Sequence, residues 1–169
     1  LALSYWNAFK LPVKIIRPFN TYGPRQSSRA VIPSIIIQAI NSKKEIKLGN
    51  VGPTRDLTYV SDTCKAYLEI LKTKSFFGKA VNVGSNNEYK IENIAKKIIS
   101  KINPEAKIIK DTKRVRPSSS EVERLVCDNK LILSNTDWKP NVDFDKGLDL
   151  TIDWYKNFKD LFSHDVYHV

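Results

Sequence analysis

Apolar positions along this chain follow two rhythms. At Ile91, Ile94, Ala95, Ile98, Ile99 and Ile102 they recur at helical spacing, with Lys96, Lys97 and Lys101 between them. Residues 91–102 therefore predict an amphipathic helix with one buried stripe. Residues 29–41 carry so many apolar side chains that a mostly buried helix is expected, with Pro33 in its first turn, where a missing amide hydrogen is tolerated. Residues 1–10 read as the end of a helix with Leu1, Tyr5 and Ala8 on one face. Ser61 and Asp62 predict the N-cap of a helix ending near Thr73, with Cys64, Tyr67, Leu68 and Leu71 sharing its apolar face. Further helices are expected over 129–136 and 145–162. Between the helices stand short runs, 13–17, 45–48, 56–60, 80–83, 107–110 and 125–127, that read as strands or extended segments. Residues 114–120 read as a polar loop. This alternation predicts an α/β fold with parallel strands. No internal repeat, low-complexity stretch or clean linker divides the pattern into independent domains.

Composition narrows the class. The chain has 169 residues, of which 41% are hydrophobic and 27% charged, the balance of a soluble globular protein with one sizeable core. Its longest apolar runs, such as Ile35–Ile37, are far too short to cross a bilayer, and residues 1–9 lack the basic start and cleavage site of a signal peptide. A cytoplasmic location is expected. Methionine is absent even at position 1, so the sequence is expected to begin inside a longer one. Cys64 and Cys127 do not make a disulfide framework and are expected to be two buried thiols in a reducing compartment. His164 and His168 share a spacing suited to a helix face, but no third ligand stands near, so no metal is expected. Net charge is +10, which raises a nucleic-acid partner. The lysines are scattered over faces opposite the apolar stripes, however, and no zinc finger or aromatic RNA-binding motif accompanies them. A solvated surface is the better reading, and a phosphorylated small molecule accounts for some of the arginines.

Four groups carry candidate chemistry. In IIRPFNTYGPRQ, residues 15–26, an apolar strand runs into a turn holding Pro18, Asn20, Tyr22, Gly23 and Arg25. Ligands bind at such strand ends in open α/β sheets, and the Asn20 amide can grip a phosphate or ribose. A tight loop, with Asn20 bonding the loop to itself, explains the same residues equally well. Arg55 follows the turn GNVGP and suits two-pronged contact with a diphosphate, or else makes a local surface pair with Asp56. Asn82 in VNVGS is a polar residue inside an apolar strand, and its partner is a ligand or a neighbouring backbone. Arg114, Arg116 and Arg124 flank PSSSEVE, a loop that either closes over an anion or is a mobile surface. No GxGxxG fingerprint follows a strand, and Tyr155–Lys159 falls in the terminal helix, outside any catalytic context.

The ordered set RPFNTYGPRQ at 17–26, RAVIP at 29–33, RDLTYVSD at 55–62, VNVGS at 81–85, RPSSSEVERLVCDNKLI and DWKP at 137–140 resembles the C-terminal half of the NAD-dependent epimerase/dehydratase family, the extended short-chain dehydrogenase/reductases. It is most similar to nucleotide-sugar 4,6-dehydratases. The resemblance covers nearly the whole chain. It implies the C-terminal part of a Rossmann-type parallel sheet interwoven with a small α/β sugar-nucleotide-binding domain. Residues 1–22 and 56–84 would lie on the Rossmann side, and 23–55 and 85–169 mainly on the substrate side. It further implies NAD as cofactor, with Pro18 near the nicotinamide. Asn20 would contact the substrate diphosphate or sugar, Arg29, Ala30 and Val31 would border the base, and Arg55 would bind the diphosphate. Asn82 would sit near the nucleoside, Arg124 would contact the nucleotide, and Glu121 is the nearest candidate for the acidic partner in the loop. The implied lyase chemistry is oxidation at the sugar C4, loss of water across C5 and C6, and hydride return to C6. An epimerase or a UDP-glucuronate decarboxylase of the same family is the neighbouring alternative, and a non-catalytic binding module for sugar nucleotides or nucleic acid is the alternative of another class. The family's catalytic tyrosine and lysine precede the helix whose tail is 1–10, so no catalytic residue is assigned here and the chain alone is expected to be inactive. A homodimer is expected for the full-length protein.

Overall fold

The computed structural model describes residues 1–41, 44–115 and 117–162. In chain order the elements are α1 (Ala2–Phe9), β1 (Ile15–Pro18), β2 (Asn20–Tyr22), α2 (Val31–Asn41), β3 (Glu45–Leu48), β4 (Thr54–Arg55), β5 (Leu57–Tyr59), α3 (Val60–Lys72), β6 (Ala80–Val83), β7 (Tyr89–Lys90), α4 (Ile91–Ile102), β8 (Lys107–Lys110), β9 (Arg124–Leu125), α5 (Lys130–Leu133) and α6 (Phe144–Asn157). They form two compact units. The first is Leu1–Thr21, Asp56–Glu88 and Val126–Phe144; the second is Tyr22–Arg55, Tyr89–Leu125 and Asp145–Val169. The chain thus passes between units five times, which is why no linker is visible in the sequence.

In the first unit β1 and β6 run parallel, with Arg17 beside Asn82 and Pro18 beside Val83. Alternation along β6 turns Val81 and Val83 into a core with Ala66, Ile70, Phe76, Ile132 and Trp138, against which Ile16 packs. Burying each such large apolar side chain stabilises the fold by about 1.5–3 kcal/mol. Helix α1 buries none of its residues and is attached through Trp6, which stacks on Phe77 at 6.3 Å. Gly78, at φ 69°, lies under the Trp6 indole, where a Cβ would collide with the ring.

Helix α3 departs from its sequence reading in two ways. Its N-cap is Tyr59, which makes no side-chain cap. Asp62 instead lies inside the first turn, where its carboxylate accepts the amides of Asn141 and Val142, both at 2.8 Å, while its backbone carbonyl accepts the Trp138 indole N–H at 2.8 Å. These bonds turn Asp62, Thr63, Ala66 and Ile70 inward. The expected apolar face is consequently the outer one: Tyr67, Leu68 and Leu71 are 47%, 57% and 72% exposed, and Cys64 is exposed rather than buried.

In the second unit α2 packs against α4 and β3. Its core is built from Ile32, Ile35 and Ile36 of α2, Ile94, Ile98 and Ile99 of α4, and Leu148, Ile152 and Tyr155 of α6. Strands β3 and β8 pair in parallel, and β4 lies between β7, antiparallel, and β9, parallel. The terminal helix ends at Asn157 and continues as a single 3-10 turn, Lys159–Leu161. The expected helix over 129–136 is limited to Lys130–Leu133, and the polar loop holds two further 3-10 turns, Thr112–Arg114 and Ser118–Ser120. No helix among the described residues is long and apolar enough to cross a membrane. Arg116, His164 and His168 lie outside the described residues.

Candidate functional site

The first unit gathers its candidate residues at the carboxyl ends of β1 and β6, the end where open parallel sheets bind ligands. Pro18 is exposed there, and the amide of Phe19 is held by the carbonyl of Val83 at 2.8 Å. Asn20 opens β2, and its Nδ2 donates to the Asp56 backbone carbonyl at 3.2 Å. Asn20 therefore reaches a distant segment, not its own loop. Beside it, the hydroxyls of Thr21 and Thr63 pair at 3.0 Å. Asn82 is half-buried and lines an open groove of about 420 Å³ with Asp128, Lys130, Leu131 and Ser134.

Asp56 is the centre of this unit's polar structure. Its side chain is fully buried, so no surface pair with Arg55 forms. Its Oδ1 accepts the Ser85 amide and hydroxyl, both at 2.8 Å, and its Oδ2 accepts the amides of Asn86 at 2.8 Å and Cys127 at 3.0 Å. Two successive amides, the second from Asn86 at φ 58°, make an anion-binding concavity that this carboxylate fills. These bonds offset the desolvation that makes a buried charge costly. Gly84 lets the strands close here, because a Cβ would overlap Cys127. Burial, reinforced by the charges of Asp56 and Asp128, pushes the Cys127 thiol up to about 12, which leaves it without nucleophilic thiolate at neutral pH.

In the second unit Arg55 is the most constrained candidate. Nη1 donates to the carbonyls of Thr54 at 2.8 Å and Val122 at 2.6 Å, and Nη2 donates to Glu121 Oε1 at 3.0 Å. Both Nη1 protons are thus engaged, and Nε–H with one Nη2–H remain for a further acceptor among the described residues. The side chains of Arg55 and Glu121 are 15% and 12% exposed, so the guanidinium is preorganised yet open at one edge. Glu121, the expected candidate for an acidic residue in the loop, pairs with Arg55. Arg124 joins the same sheet: it pairs in register with Thr54, while Arg55 pairs with Leu125. Arg29 is exposed, Ala30 is half-buried on the turn into α2, and Val31 opens that helix. Arg114 is held locally, by Asp111 at 3.2 Å and by the Ser34 hydroxyl at 3.3 Å. Tyr155 is fully buried, its hydroxyl donates to the Gln26 carbonyl at 2.5 Å, and burial pushes it up to about 12; it is a packing residue.

Sequence reasoning missed Asp56 as a site element. A carboxylate opening an apolar strand, with a Gly-Ser-Asn turn elsewhere in the chain, was the available signal.

The family model described as GDP-mannose 4,6 dehydratase matches residues 1–151. The chain belongs to this family. It is 32% identical over 166 residues to dTDP-D-glucose 4,6-dehydratase of Mus musculus, covering 92% of this chain and 44% of the relative. It is 30% identical to a putative UDP-glucose 4-epimerase of Methanocaldococcus jannaschii, covering 90% of this chain and 48% of that protein. A solved structure of dTDP-glucose 4,6-dehydratase from Bacillus anthracis in complex with NAD superposes with a TM-score of 0.80 at 27% identity, covering 94% of this chain and 49% of that one. The chain therefore spans about half the length of the relatives it matches. Its mixed α/β fold with parallel strand pairs is that of the Rossmann-type epimerases and dehydratases.

Proposed function

We propose that this chain is the substrate-binding part of an NAD-dependent nucleotide-sugar 4,6-dehydratase. The observation that carries the reading is Arg55: a guanidinium fixed by Glu121 and two carbonyls, with Nε–H and one Nη2–H left over from these bonds. A planar, preorganised fork of this kind suits the oxygens of a diphosphate. Arg124 adds a second positive charge in the same sheet. Asn20 contacts the substrate diphosphate or sugar, Asn82 lies near the nucleoside, and Arg29, Ala30 and Val31 border the base. Residues 1–22 and 56–84 serve the cofactor side, and 23–55 with 85–169 mainly the substrate side.

NAD, when bound, supplies the hydride acceptor for oxidation of the sugar. Pro18 fits a place beside it, since it offers an exposed apolar ring at the carboxyl end of two parallel strands. No residue of this chain is assigned an acid or base role. The full-length protein acts in the cytoplasm as a homodimer.

The reading is tested by incubating the full-length protein with NAD and a panel of GDP-, UDP- and dTDP-sugars, and following 4-keto product. A 4-keto-6-deoxy sugar is the expected result; a C4 epimer or a decarboxylated sugar would replace dehydratase by a neighbouring activity. In the same protein Arg55→Ala should weaken nucleotide-sugar binding by about 2 kcal/mol, roughly 30-fold in Kd, while NAD affinity holds. Calorimetric titration giving unchanged sugar-nucleotide affinity would remove Arg55 from the site.

A further inference from the structure

The geometry points to Asp56 as a positioning residue for Asn20. The inference rests on the reading that Asn20 touches the substrate. Asn20 donates its Nδ2 to the backbone carbonyl of Asp56 at 3.2 Å. That carbonyl is fixed in turn, because the Asp56 carboxylate is bound through both oxygens to residues 85, 86 and 127. Four of the five points at which the chain passes between units, 21/22, 55/56, 88/89 and 125/126, lie within a few residues in sequence of one member of this cluster. Asp56 therefore sets where the peptide of residue 56 sits, and through it which way the Asn20 amide faces. With Nδ2 held, Oδ1 and the second Nδ2 proton are presented in one orientation, which removes a rotamer search from substrate binding.

Asp56→Asn keeps the shape but places an amide NH₂ against converging N–H donors, so the cluster must open on one side. In the chain of 169 residues with [15N]asparagine label, Asp56→Asn should shift and broaden the Asn20 side-chain amide resonances. An Asn20 side-chain resonance that stays in place while the Asn86 backbone amide moves would overturn the proposal and leave Asp56 as scaffold only. In the full-length protein the test is a double-mutant cycle on nucleotide-sugar affinity. Asn20→Ala and Asp56→Asn should each weaken binding about tenfold, and the double variant no more than Asn20→Ala alone. Equal losses from Asp56→Asn in both backgrounds count against positioning. If Asn20→Ala binds like wild type although the resonance shift is present, the failure lies with Asn20 as a substrate contact, and the positioning role falls with it. Should Asp56→Asn not fold, Ser85→Ala removes only the hydroxyl donor to Oδ1. It should move the Asn20 resonance in the same direction by a smaller amount, and a null result there is equally decisive against the proposal.

Discussion

Gly84 has no room for a side chain: a Cβ there would overlap Cys127 and stand 3.0 Å from Asp56 Oδ2. Neither neighbour can yield, since Cys127 is buried and its amide is bonded to the same carboxylate. Gly84→Ala should destabilise the protein by about 1–3 kcal/mol, read as a lower urea midpoint with an unchanged slope. An unaltered midpoint would mean that the strand end gives way. At this scale part of the candidate site was legible from sequence and part was not. Asn20 and Arg55 stood out because a polar or charged residue next to a strand needs a partner. Glu121 was placed as the acidic partner only by family order. Asp56 escaped because its partners, Ser85, Asn86 and Cys127, come from segments that only the folded chain brings together.

Among the elements, α4 shows the agreement between pattern and fold at its best. Its apolar stripe, read as 91–102, is the observed Ile91–Ile102, with Ile91, Ile94, Ala95, Ile98 and Ile99 buried. β3, β6 and β8 likewise keep their expected bounds, 45–48, 80–83 and 107–110. The strands β2, β4 and β7 hold two or three residues each, too few to show a period. α3 misleads for a different reason: two helix faces compete, and the less apolar one wins because Asp62 and Ala66 fit against the Trp138 segment. The start of α4 also carries a pH signature. Hydrogen bonds from Lys90 and Lys96 hold the Glu92 carboxyl down from 4.5 to about 2. A depressed carboxyl stabilises the fold above its ordinary range and loses that contribution as pH falls through the lower value. Wild type should therefore lose melting temperature between pH 4.5 and about 2 more steeply than Glu92→Gln. The gap should shrink in salt, since the group is exposed. Parallel curves in differential scanning fluorimetry would refute this.

For the whole molecule the interleaved path matters most. The first unit is built from three segments whose ends are joined only through the second. If the second unit melted alone, the first would have to close two long disordered loops, at a cost of about 3 kcal/mol each. Heating should thus give one cooperative transition by calorimetry, with far- and near-ultraviolet dichroism coincident. Two resolved transitions would show that either unit stands alone. The same path has a meaning during synthesis. Chains emerge from the ribosome N-terminus first, and contiguous domains can fold as they appear. Here the first unit lacks Val126–Phe144 until late, and the second waits for α6. Residues 29–41, apolar and in the second unit, therefore stay without their α6 partners until some hundred residues later in the chain have been made, a window in which chaperones would find them.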